Sequence, residues 1–234
     1  MTAGRISQLD QVTELTRGIN LPIAPIGAAM LEIIVEAIAG AWNDVKAAYP
    51  HVVLEATEPE ISGLLVSRLN ASLGSNPLLA LIVSSIHRGS ENVSFDGAKL
   101  EGRPDLLFTL TGTDTRFHLV GESKIIDLPN KKSASLYRNK GVKRFVVGEY
   151  AWGTKEGIIV AYVRCGAKLD PTVLSSLPKF KDINCSARVM RSSVKPPIQP
   201  GNLGISTHGR AFSYVHKTTS TPGDIELWHL WLDV

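Results

Sequence analysis

The stretch GRPDLLFTLTGTDTRFHLVGESKII, Gly102 to Ile126, decides how the rest of the chain is read. It carries a Pro-Asp pair at the head of one apolar run and Glu-Ser-Lys near the end of another, with the turn-rich TGTDT between them. Leu106, Leu107 and Phe108 precede a Thr, Gly and Asp cluster that suits a hairpin loop, and Phe117, Leu119 and Val120 resume the apolar pattern. Two adjacent antiparallel strands are predicted. Side chains alternate across a strand, so Glu122 and Lys124 share one face while Ser123 takes the other. A loop near Thr111 to Thr115 brings Asp105, at the start of the first strand, beside Glu122 on the second.

Charges buried without partners in apolar strands cost several kcal/mol, so two carboxylates and a lysine that converge require compensation. A divalent cation supplies it. Two hard oxygen ligands suit Mg2+, with Mn2+ as the alternative, because Mg2+ keeps several waters and takes only one or two carboxylates besides phosphate oxygens. A lysine beside such an ion can position or deprotonate a water, or steady the charge that develops on a phosphate. That is phosphodiester-cleaving chemistry.

Pro104-Asp105 and, beyond residues 106–121, Glu122-Ser123-Lys124 resemble the signature of the PD-(D/E)XK nuclease superfamily, which includes many restriction endonucleases and repair nucleases. The surroundings fit as well: an acidic helix is predicted before the pair, and a helix and another strand after it. The resemblance implies an α/β fold with a restriction-endonuclease-like core, a mixed central β-sheet flanked by α-helices. An N-terminal helical extension over residues 1–50 packs on a nuclease-like domain over residues 51–234. It implies that Asp105 and Glu122 hold the ion, that the backbone carbonyl of Ser123 completes the protein ligands, and that Lys124 acts on the water. Such proteins often carry a further acidic residue on the helix before the PD strand. Here Thr57 can cap a helix starting near Glu58-Pro59, with Ile61, Leu64, Leu65 and Leu69 on its inner face. Glu60 directly precedes that apolar pattern and is assigned the metal-facing, catalytic role; Glu58, before the proline, is its rival.

With 234 residues and 44% apolar content, the chain suits one core. No run of about 18 uncharged apolar residues marks a membrane span. Ile23 to Ala41 comes closest, but Glu32 and Glu36 lie one turn apart within it and Pro25 sits at its start, so a soluble helix is expected. The N-terminus lacks a basic region followed by an apolar core and a small-residue cleavage site, and a cytoplasmic location away from membranes is expected. Cys165 and Cys185 have no metal-ligand spacing and read as a reduced pair on separate strands. The net charge of +3 is compatible with nucleic acid without arguing for it. Its distribution says more, because Lys131, Lys132, Arg138, Lys140, Lys143 and Arg144 crowd the residues after the ESK strand.

Along the chain, a short helix is predicted from Ser7 to Thr16 and a long amphipathic one from Ile26 to Tyr49, stopped by Pro50. Leu78 to Ile86 favours helix, and Asn92 to Phe95 a strand. Lys132 to Lys140 reads as a helix ending at Gly141, and Arg144 to Trp152 as a core strand with Phe145 and Val147 on one face. Strands are predicted at Ile158 to Val163, Ala187 to Arg191 and Ile225 to Val234. The Pro- and Gly-rich segment from Lys195 to Phe212 is expected to be a loop. Its Ser206, Thr207, His208 and Arg210 could grip a phosphate or simply hydrogen-bond a turn.

The function these readings imply is Mg2+-dependent hydrolysis of DNA, endonucleolytic rather than exonucleolytic, by a homodimer or with a partner protein. Lys132, Tyr137, Arg138, Lys143, Arg144, His208 and Arg210 are the expected nucleic-acid contacts. Restriction or antiphage defence in bacteria is the expected setting. The competing readings are a nuclease-like fold that binds nucleic acid or protein without cutting, and an RNA-cleaving member of the same superfamily.

Overall fold

The computed structural model of the chain describes residues 7–89, 93–98, 102–169, 185–189, 202–210, 212–214 and 221–234. Helix α1 (Gln8–Leu15) starts at Ser7, whose hydroxyl accepts the Asp10 amide while the Asp10 carboxylate accepts the Ser7 amide. Helix α2 (Ala28–Ala48) repeats its apolar residues at helical spacing and buries Leu31, Ile34, Ile38, Trp42 and Val45. Fully burying each of these side chains contributes about 1.5–3 kcal/mol. Pro50 stops α2 as predicted and opens the short α3 (Pro50–Glu55). Helix α4 (Glu58–Leu73) follows with Ile61, Leu65 and Leu69 inward and Leu64 partly buried.

Among the described residues, seven strands form one open mixed sheet in the order β1-β2-β3-β4-β7-β6-β5. Strands β1 (Val83–His87), β2 (Leu106–Leu110) and β3 (Leu119–Ile126) make an antiparallel meander. Strand β4 (Glu156–Val163) then runs parallel to β3, and β7 (Ile225–Asp233) parallel to β4. β6 (Leu203–His208) and β5 (Cys185–Val189) close the far side antiparallel. The parallel strands are buried on both faces, which explains their near-continuous apolar sequence. One face packs on α2, α4 and α5 (Pro77–Ile82); the other on α6 (Ala134–Tyr137), a π-helical turn (Arg138–Val142) and α7 (Lys143–Val146). Among the described residues no helix is long and apolar enough to cross a membrane.

Leu78 to Ile86 is divided, helix up to Ile82 and strand from Val83. Residues 93–98 hold a turn and no strand, and Asn92 lies outside the described residues. The predicted helix from Lys132 starts at Ala134 and does not stop at Gly141, because the π-helical turn carries it into α7. Arg144 to Trp152 is therefore helix and turn, not strand. Phe145 and Val146 are consecutive and both pack into the same cluster on one side of the sheet, which a helix turn allows and a strand, whose successive side chains take opposite faces, does not. The segment from Lys195 to Phe212 is not all loop, since Leu203–His208 is β6; residues 195–201 and 211 lie outside the described residues, as do residues 190–191 after β5. Cys165 follows β4 instead of lying within a strand and is a free thiol.

Candidate active site

The β2–β3 ladder pairs Leu106 with Gly121 and Leu107 with Val120, so its next step sets Asp105 opposite Glu122. Asp105 is held there by its Oδ2, which accepts the Ser123 amide at 2.8 Å. Gly89, two residues past β1, donates its amide to the Pro104 carbonyl, and a Cβ on it would overlap that same oxygen. The close approach of these backbones fixes the Pro-Asp corner. Glu122 and Lys124 lie on the α6–α7 face of β3, and Ser123 on the α4 face, where its hydroxyl meets Tyr162 at 3.4 Å and Tyr162 meets Ser62 at 3.2 Å. The predicted alternation is present.

Lys124 is the centre of the cluster. Its Nζ donates to Glu122 Oε1 at 2.7 Å and to the Ser123 carbonyl at 2.6 Å, and lies 3.4 Å from Glu58 Oε2. The other oxygen of Glu58 accepts the Ile125 amide at 2.9 Å, which ties the first turn of α4 to β3. On the far side of Glu122, Arg144 Nη1 donates to the same Oε1 at 2.9 Å and to the Tyr150 hydroxyl at 2.7 Å, with the guanidinium carbon 5.2 Å from the centre of the Tyr150 ring. Glu122 is 1% exposed, and its second oxygen, Oε2, is buried with no hydrogen-bond partner among the described residues.

The electrostatics follow from this burial. Desolvation pushes Glu122 up to about 7 against the pull of Lys124, with Asp105 adding to the rise. Burial likewise raises Asp105, opposed by the Ser123 amide. Burial alone lowers Lys124, but Glu122 and Glu58 outweigh it, so the ammonium is held above its ordinary value. Lys124 is a firmly protonated cation among three carboxylates.

Glu60 is not part of this cluster. Its Oε2 accepts both the Thr57 amide and the Thr57 hydroxyl at 2.7 Å, closing a capping box at the start of α4, and its side chain faces solvent. The rival Glu58 takes the position expected of Glu60. The sequence held the signal: Thr57-x-x-Glu60 is the capping-box pattern, which commits the N3 carboxylate to the helix end and leaves the N1 carboxylate free to reach outward.

Of the expected nucleic-acid contacts, Tyr137 and His208 are both buried. The Tyr137 hydroxyl meets His229 Nδ1 at 2.7 Å, His229 Nε2 meets the Ser206 hydroxyl at 2.6 Å, and Ser206 meets His208 Nε2 at 2.7 Å. This polar chain lies between sheet and helix, and neither side chain reaches a surface. Arg210 spends its guanidinium on the carbonyls of Gly223, Ala151 and Pro222. Arg144 binds Glu122 instead of standing free for phosphate. Lys143 is exposed, Lys132 and Arg138 are half-buried, and all three belong to the segment that runs past the site.

Among the described residues, no group of three or more His, Cys, Asp or Glu gathers into a metal-binding cluster. The donors nonetheless fit a hard cation. Asp105 and the orphaned Glu122 Oε2 are carboxylate oxygens on facing strands, and the Ser123 carbonyl follows Glu122 directly in sequence. Comparison of the chain with protein-family models, with curated proteins and with solved structures gave no match.

Proposed function

We propose that the chain is a metal-dependent nuclease that hydrolyses phosphodiester bonds in DNA, working from Asp105, Glu122, Lys124 and Glu58. The observation that carries this reading is the buried, unpartnered Oε2 of Glu122, a residue set opposite Asp105 by the register of the ladder, with the Lys124 ammonium on its other oxygen. An orphaned carboxylate oxygen costs free energy, and a cation is the partner that relieves it while using Asp105 as well. The element order supports the resemblance: an acidic helix, a three-strand antiparallel meander carrying the PD and ESK residues, a helical segment, and a strand parallel to the third.

Asp105, Glu122 and the Ser123 carbonyl would hold the ion, Mg2+ or Mn2+. Bound there, it supplies a water of lowered pKa and neutralises charge on the phosphate. Lys124, whose ammonium donates to Glu122, stands where it can position or deprotonate that water or steady the charge that develops on the phosphate. Glu58 orients Lys124 through Oε2 while anchored to β3 through Oε1. Arg144 restrains Glu122 by holding its Oε1, which leaves Oε2 for the ion. Lys132, Arg138 and Lys143 provide sequence-independent attraction for the backbone.

One observation favours a second reading, a nucleic-acid-binding module that does not cut: Lys124 and Arg144 already neutralise Glu122 Oε1. Incubation with plasmid, single-stranded DNA and RNA in Mg2+ and in chelator separates the two. The nuclease reading expects DNA cleavage that chelator abolishes. Binding with no cleavage in Mg2+ or Mn2+ favours the module, and cleavage of RNA alone changes the substrate.

A further inference from the structure

A cavity of about 230 Å³ opens on the same face of the β2–β3 hairpin as the carboxylates. Its floor is the pair Leu107 and Val120, the next pair beyond Asp105 and Glu122 on that face. Phe117 and Trp152, edge to face with ring centres 5.4 Å apart, form one wall. His118, Ala151, Arg116 and Thr154 are among the other residues that line the cavity. At about 3.3–3.4 Å per strand residue, the floor lies about 7 Å along β3 from Glu122, within the span of a single nucleotide.

The cavity is also joined to the site through the chain. Tyr150, whose hydroxyl accepts from Arg144 beside Glu122, is followed by Ala151 and Trp152 in the cavity wall. Ala151 adopts φ 52, a left-handed conformation that costs a residue with a Cβ about 1–2 kcal/mol. The Ala151 carbonyl is held by Arg210 and by the Thr154 amide and hydroxyl, which keeps the turn in this shape. His118 Nδ1 meets the Thr109 hydroxyl at 3.3 Å, so the ring is oriented from its back.

We infer that this cavity receives one unstacked nucleobase of the strand whose phosphate lies at Asp105 and Glu122, an inference that rests on the nuclease reading. Size selects this ligand class. The volume exceeds the roughly 150 Å³ that holds a benzene and falls below the roughly 300 Å³ at which drug-sized pockets begin. An apolar floor, two aromatic rings and a few polar groups at the rim suit a planar heterocycle, which a stacked duplex does not present. The chain therefore acts on single-stranded DNA or on a nucleotide turned out of the helix.

The test is calorimetric titration of the full chain with nucleoside 5′-monophosphates and with ribose 5-phosphate, followed by competition with a DNA oligomer and its abasic counterpart. The monophosphates should bind about tenfold or more tighter than the sugar phosphate, the scale of one base–aromatic stack. Leu107→Trp, which fills the cavity, should remove that preference, and His118→Ala, at a half-buried ring, should weaken it with unchanged thermal unfolding. The base-bearing oligomer should compete and the abasic one should not. Equal binding of sugar phosphate and monophosphate, equal competition by the two oligomers, or a preference that survives both substitutions overturns the inference. Cleavage of DNA with no base preference removes the cavity's role alone, whereas base binding without cleavage in either Mg2+ or Mn2+ removes the nuclease reading.

Discussion

Glu58 Oε1 accepts the amide of Ile125 at 2.9 Å, so the first residue of α4 is stitched to the strand that carries Glu122 and Lys124. Two positions later Glu60 turns back on Thr57. Neighbouring carboxylates thus have separate duties. Glu58→Gln should slow cleavage at saturating DNA by about tenfold or more, because an oriented charge beside the reacting group is removed. Glu60→Gln should lower the unfolding temperature and leave cleavage unchanged. Single-turnover kinetics and thermal unfolding of both variants check the pair; slower cleavage in Glu60→Gln with normal cleavage in Glu58→Gln would reverse the assignment.

Tyr137→Phe removes the hydroxyl that meets buried His229 and strands a ring nitrogen. It should cost about 1–3 kcal/mol in denaturant unfolding and leave DNA affinity unaltered. A loss of DNA binding in a folded Tyr137→Phe protein would restore a surface role to this residue.

Arg144 and the neighbouring basic residues should fail differently. Arg144→Ala frees Glu122 and should lower the cleavage rate with little change in the salt dependence of binding. Replacing Lys132, Arg138 and Lys143 by alanine should instead reduce the log–log salt slope by about 0.9 for each DNA phosphate that is no longer neutralised. Affinity measured from low to moderate salt distinguishes them.

Glu156, at the start of β4, is buried beside Glu226 with Oε2 unpartnered, and burial pushes it up to about 7 from 4.5. The folded state therefore holds this proton more tightly than the unfolded chain. Its stabilising contribution is full below pH 4.5 and is lost as pH rises through 7. Glu156→Gln should match the wild type at acidic pH and unfold at a higher temperature above pH 7. Parallel pH–stability curves for the two proteins would show that Glu156 titrates normally.

The hairpin was legible because two independent patterns agreed there, alternating apolar residues and a turn cluster, and the alternation alone put Glu122 and Lys124 on one face. The long helix α2 declared itself by the same regularity. What failed were segments where a local pattern has two solutions. RFVVGEYAW is apolar enough for a strand, yet α7 takes its start, because β4 occupies the place beside β3. Ser206 and His208 sit in a Gly- and Pro-rich context that reads as loop, but β7 pairs with them. Tyr137 and Arg144 stand in a basic run whose exposed face was readable and whose buried face was not. Tyr150 carried no motif at all; only the fold brings its hydroxyl to Arg144.

Lys124 gives the most direct test of the central claim, since its ammonium lies between Glu122 and Glu58 and supplies the positive charge at that point. Single-turnover cleavage of saturating DNA in Mg2+ should be readily measured for the wild type. In Lys124→Ala it should fall by about 100-fold or more while the protein folds and binds DNA with similar affinity. Wild-type cleavage rates in folded Lys124→Ala, or no cleavage by the wild type in either Mg2+ or Mn2+, would contradict the account.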